Sequence, residues 1–210
     1  MPMNPPPAQG DPRTQAVLAG YAADQGAARG LLGHGDPSVR ASALGALDRM
    51  GHLDTADLRA GLADDDSLVR RRAASIAARR SEFPVEALAE LLDDADDRVV
   101  EVVAFACGER PDATDGVVEA LGRIAVDHAD SLCRESAVAA LGSLGRPESL
   151  PVILGACTDR ATVRRRAVLA LAAFDDPAAT EMLRTMTADR DLQVRQAAEE
   201  LLAIDEGGEW

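Results

Sequence analysis

A chain of 210 residues, 47% of them apolar, is long enough for one or two domains and can bury its own core. The apolar content is mainly Ala, Leu and Val, with three Phe, one Tyr and one Trp, which suits close-packed helices and argues against a sheet, where β-branched and aromatic residues dominate. Thirty-six acids oppose 22 bases, all of them Arg because Lys is absent, so the net charge of −14 repels a phosphate backbone and excludes nucleic acid as an expected partner.

The start of the chain, MPMNPPPAQGDP, has no basic start and no apolar stretch, and no later apolar run approaches the ~20 residues that span a bilayer. The protein therefore reads as soluble and cytoplasmic. Residues 1–14 read as a disordered Pro-rich tail, residues 15–204 as one helical array, and residues 205–210 as an acidic tail. Within the array, a first helix begins near Asp24. Shorter amphipathic helices follow at Ala56–Leu62, Pro84–Leu92, Gly116–Val126, Glu148–Ala156 and Pro177–Met186, alternating with longer ones that open at a repeated motif.

That motif reads Asp36-Pro-Ser-Val39-Arg40, Asp66-Ser-Leu-Val69-Arg70, Asp130-Ser-Leu-Cys133-Arg134 and Asp191-Leu-Gln-Val194-Arg195. Weaker copies stand at Asp96-Asp-Arg-Val99-Val100 and Arg160-Ala-Thr-Val163-Arg164. Its apolar markers at 39, 69, 99, 133, 163 and 194 are separated by 30, 30, 34, 30 and 31 residues, a period that means a repeat architecture. Four residues beyond each marker stand Ala43, Ala73, Val103, Ala137, Ala167 and Ala198; eight beyond stand Leu47, Ala77, Cys107, Leu141, Leu171 and Leu202. Spacings of four and eight put these side chains on one helical face, the expected core. The Asp ahead of each such helix is an N-cap, Pro37 suits the first helical position, and Asp followed four residues later by Arg is oriented for an ion pair along the helix.

This pattern resembles the HEAT-like repeats named after the phycocyanobilin lyase family, whose second helices open with Asp-x-x-Val-Arg. The resemblance covers about residues 24–204. It implies an all-α fold, a right-handed α-solenoid of about six HEAT-like helix pairs whose second helices line a concave surface. It also implies that the motif Asp and Arg residues (Asp36, Arg40, Asp66, Arg70, Asp130, Arg134, Arg164, Asp191 and Arg195) bond between neighbouring repeats. Val100 and Arg160 depart from the pattern, so that ladder is expected to be interrupted around the third and fifth repeats.

No Walker loop, GxGxxG or GxSxG is present, and no catalytic residue, cofactor or metal site is assigned. His34, His52 and His128 are far apart and read as solvated turn residues; Cys107, Cys133 and Cys157, without CxxC spacing, read as small core residues. Two enzyme families share such a scaffold. The deoxyhypusine hydroxylases need His-Glu dipeptides that are absent here, and the HEAT-like alkylpurine DNA glycosylases need a basic, aromatic-rich groove that this composition contradicts.

The positions two, three and six after each marker form the expected solvent-facing stripe. Its partner-binding candidates are Arg71, Arg72, Glu101, Val102, Phe105, Glu135, Arg165, Arg166 and Leu169, an apolar and acidic middle between two Arg pairs. One reading joins Arg71 to Glu101 and Arg165 to Glu135 as solvated ion pairs; the other makes Val102, Phe105 and Leu169 an apolar strip that docks a partner, and the two are compatible. Asp residues at 64–66, 93, 94, 96, 97, 127, 130, 189 and 191 form an acidic edge, explained by capping and solubility, with a basic partner or divalent cations as the alternative. The functional expectation is a non-catalytic module, a scaffold or adaptor that binds a protein partner; a bilin lyase or lyase-like chaperone subunit is the alternative.

Overall fold

The structure, a computed structural model, describes residues 11–16 and 24–206, with side chains to residue 204; most of the two expected tails lies outside that range. The described residues form helices joined by turns, with no strand among them, in the arrangement of an α-solenoid. The chain divides into two compact units, residues 1–76 and 77–210.

In the first unit, residues 12–16 form a helical turn opened by Asp11, and Ala16 is buried. Helices α1 (Gln25–Gly30), α2 (Pro37–Arg49), α3 (Thr55–Leu62) and α4 (Ser67–Ala77) follow, α4 ending at the unit boundary. The starts are encoded locally. Asp36 accepts the Ser38 N–H at 2.8 Å with Pro37 in the first turn, and Asp54 and Asp57 cap each other's backbone in a reciprocal box. Gly51 ends the turn after α2 at φ +71°, a backbone conformation that side chains disfavour. Leu44, Leu47, Leu58 and Ile76 fill the core.

The second unit contains α5 (Val85–Ala89), which tightens into a 3₁₀ turn at Glu90–Asp93, then α6 (Asp97–Gly108), α7 (Asp115–Asp127) and α8 (Ser131–Leu144). A 3₁₀ turn at Pro147–Ser149 leads into α9 (Leu150–Ala156), followed by α10 (Ala161–Leu171), α11 (Pro177–Met186) and α12 (Leu192–Glu206). The second helices α6, α8, α10 and α12 pack in succession. Two glycines let them close: a Cβ on Gly108 would stand 2.6 Å from the Ala140 Cα, and one on Gly142 would stand 2.5 Å from the Ala170 Cβ. All six apolar markers are buried, as are Val103, Ala137, Ala167 and Ala198 four residues on. Arg110, only 2% exposed, ties the loop after α6 to the one before α5 by donating to the carbonyls of Arg80, Ser81 and Phe83 while paired with Asp112.

The motif arginines have different partners from the ion pair expected along the helix. Each motif Asp is occupied by capping, as when Asp130 accepts the Leu132 N–H at 2.8 Å, so the Arg four residues on turns elsewhere. Arg40 donates to the His34 carbonyl of its own entry turn at 2.8 Å and to Asp64 in the next repeat's turn at 2.6 Å. Arg134 does the same with the His128 carbonyl and Asp159, both at 2.7 Å, and Arg164 with the Asp159 carbonyl and Asp189, both at 2.7 Å. Arg70 donates to the Asp64 carbonyl at 2.8 Å and Arg195 to the Asp189 carbonyl at 2.7 Å. Neighbouring repeats are thus bonded, and the acceptor is an Asp one or two residues ahead of the cap position.

Arg160 does not interrupt the ladder, because the residue it replaces is a cap and not a rung; it merely leaves α10 without a side-chain cap. Val100 does remove a rung and is buried instead. The turn that would have received that rung holds His128, whose Nδ1 accepts the Asp130 N–H at 3.1 Å, the role Asp189 plays for Asp191 at 2.7 Å. His34, ahead of the first motif, accepts the Asp36 N–H at 3.0 Å in the same way. These two histidines are therefore half-buried acceptors, not simply solvated residues; His52 is exposed. In the turn that Val100 leaves without an Arg, an imidazole nitrogen supplies the acceptor in place of a carboxylate.

Candidate partner-binding surface

With the four- and eight-residue positions turned into the core, helical geometry sends the two-, three- and six-residue positions outward. In the second unit this holds for most of the stripe. Glu101 and Val102 are half-buried and Phe105 is 59% exposed on α6; Glu135 is half-buried on α8; Arg165 and Leu169 are exposed and Arg166 half-buried on α10. Ala197 on α12 is the exception and is buried. Apolar surface also comes from Leu132, exposed on α8 and absent from the sequence reading. Its signal was present, since it lies three residues before Glu135 and so shares that face.

The charges pair differently from expectation. Arg166, not Arg165, reaches Glu135, with Nη2 at 3.4 Å from Oε1. The cause is phase: the third position after the marker leans toward the preceding helix, and the second points away from it. The same lean is visible in the first unit, where the Arg72 guanidinium lies over Gly45 of α2, so close that a Cβ there would collide with it. Gly45 and Ala41 are accordingly buried in α2, against the expectation that their positions face solvent. Arg71 is half-buried on α4, and its Nε is buried without a hydrogen-bond partner among the described residues. Arg165 has no ion-pair partner among them either, leaving its guanidinium available beside Leu169.

Glu135, Thr162, Arg165, Arg166, Leu169 and Gln193 line a groove of about 200 Å³ on this face of the second unit. With Asp191 it offers two carboxylates, two guanidiniums and an apolar side chain, which is recognition chemistry. Among the described residues, no group of three or more His, Cys, Asp or Glu is placed to hold a metal ion. Burial pushes the thiols of Cys107, Cys133 and Cys157 up to about 12, so they are scarcely ionised near neutral pH and are poor nucleophiles. No helix of the described residues is long and apolar enough to cross a membrane.

A family model described as HEAT repeats matches residues 25–109, 85–162 and 118–203. No curated protein matches the sequence. Among solved structures, the chain is similar to the Escherichia coli protein YibA, with 17% identity and a TM-score of 0.67 over 98% of this chain and 78% of that one. It is similar to the complex of CpcE and CpcF of phycocyanin lyase from Nostoc sp. PCC7120, with 22% identity and a TM-score of 0.61 over 96% of this chain and 81% of that one. Human deoxyhypusine hydroxylase is also similar, with 21% identity and a TM-score of 0.50 over 93% of this chain and 79% of that one. At these identities the likeness is one of fold.

Proposed function

Because this chain belongs to the HEAT-repeat family, we propose that it is a non-catalytic, cytoplasmic scaffold or adaptor that binds a protein partner on the outward stripe of its second helices. Repeat stacks present extended surfaces, and binding energy concentrates where an apolar anchor has Arg nearby. The observation that carries this function is Phe105, a large side chain 59% exposed beside Val102, with exposed Leu132 and Leu169 on the next two second helices of the same unit. Arg165, Arg166, Glu101 and Glu135 supply charges around that strip, and Arg71 and Arg72 hold the equivalent helix positions in the first unit.

Affinity capture from an extract of the native organism tests this, read by mass spectrometry and run in parallel with Phe105→Ala and Leu169→Ala. A partner held by the parent and depleted about tenfold in both variants is the expected result. Equal recovery by parent and variants would move the binding surface elsewhere. The likeness to the CpcE and CpcF complex favours a second function, that of a lyase or lyase-like chaperone subunit. A lyase of that kind would change the visible absorbance of an added bilin, whereas an adaptor would leave it unchanged.

A further inference from the structure

The four extra residues in the 34-residue step between Val99 and Cys133 enlarge one first helix. Helix α7 has 13 residues, about 20 Å of helix, and the first helix that follows it, α9, has 7. Four residues are close to one turn, so the buried face of α7 (Val117, Val118, Leu121, Ile124 and Ala125) keeps its phase along the added length, with Val118 at its edge. A neighbouring face of α7 lines an open groove of about 700 Å³ that runs from Asp115 to Asp127. Val118, Gly122 and Val126, four residues apart, form one wall, with Val152 of α9 across from them.

Three independent features mark this groove. Val126 is 63% exposed. Gly122 sits in the middle of a helix, where glycine is costly, yet packing does not require it: a Cβ there would meet the Val152 Cγ2 at 3.9 Å, an ordinary contact, unlike the forced closeness at Gly108 and Gly142. Ser149 stands at the groove's edge, only 2% exposed, and its buried hydroxyl has no hydrogen-bond partner among the described residues. The rim is charged. Asp115 and Glu148 share Arg146, whereas Glu119 and Asp127 are exposed with no ion-pair partner among the described residues; the exposed Arg123 stands four residues from each of them, so acids outnumber bases along the groove.

We propose that this groove docks a basic amphipathic helix of a partner protein, with an apolar side chain seated over Gly122 between Val118 and Val126 and Lys or Arg side chains against Glu119 and Asp127. Its length along α7 matches a helix of three to four turns, and laying an apolar stripe into such a groove is a general recognition mode. The unpaired acids and the net charge of −14 select a basic partner, and the same charge opposes a second copy of this chain. This surface lies on first helices, so it does not depend on the stripe carried by the second helices.

The test uses the full chain and a fluorescent synthetic helix of Leu and Lys at three- and four-residue spacing, about four turns long, with a Leu and Glu counterpart. Fluorescence anisotropy should show the Leu and Lys helix bound and the Leu and Glu helix free; failure of the Leu and Lys helix to bind the parent would overturn the proposal. Gly122→Leu, which fills the groove, should weaken binding about tenfold or more without lowering the melting temperature. Val126→Ser, at an exposed position, and Glu119→Arg combined with Asp127→Arg should do the same, while Phe105→Ala should leave binding unchanged. Equal binding by the parent and Gly122→Leu would mean that diffuse charge holds the peptide, and the groove would then have no docking role. A dimer in sedimentation equilibrium that Gly122→Leu dissociates would assign the groove to a second copy and overturn the proposal as well.

Discussion

Arg164 and Asp189 leave only 5% and 8% of their side chains exposed, so this rung joins two buried charges whose worth depends on both being present. The hydrogen bond from Arg164 holds the Asp189 carboxyl below its ordinary value of 3.8, as Arg40 does for Asp64 and Arg134 does for Asp159. A carboxyl lowered on folding binds fewer protons in the folded state than in the unfolded state. Its contribution is therefore complete above 3.8 and is lost as pH falls through the lower folded value. Asp189→Asn strands the Arg164 charge and should cost about 3 kcal/mol at neutral pH. In thermal melts the gap between parent and variant should close as the pH is taken down to about 2, and a gap that stays constant would contradict the pairing.

The helices show what was legible in the sequence. The repeated marker and the residue four positions on are buried in all six second helices, because a four-residue period records burial directly; the residue eight positions on is buried in five, with Leu202 of the last helix only half-buried. Partner choice was not legible, because Arg40 and Asp64 are 24 residues apart and a motif read within one helix offers Asp36 first. The exchange of Arg165 for Arg166 at Glu135 has the same origin, since the lean of one helix toward its neighbour leaves no trace in periodicity. The α7 groove was also missed, although the 34-residue step and Gly122 were its signals. Two substitutions test the packing of the elements. Gly142→Ala should force α8 and α10 apart and cost about 1–3 kcal/mol, and a melting temperature equal to the parent's would deny the close approach. Val163→Asp buries an unpaired charge at a marker and should abolish much of the helical circular dichroism of its repeat and those beside it; a parental spectrum and melt would show the register to be wrong.

Across the whole molecule, the charge is strongly acidic, the thiols are buried, and the exposed large apolar side chains among the described residues sit on helical faces that packing leaves open. That distribution suits a protein whose work is to hold another. Phe105 is the side chain most at stake, because it is exposed, large and dispensable to the core. The most direct measurement is calorimetric titration of the captured partner into the parent and into Phe105→Ala, with melting curves of both. The expected result is a Kd weakened more than about tenfold and a melting temperature moved by only a few degrees. An unchanged Kd in a folded variant would contradict a partner held on this stripe.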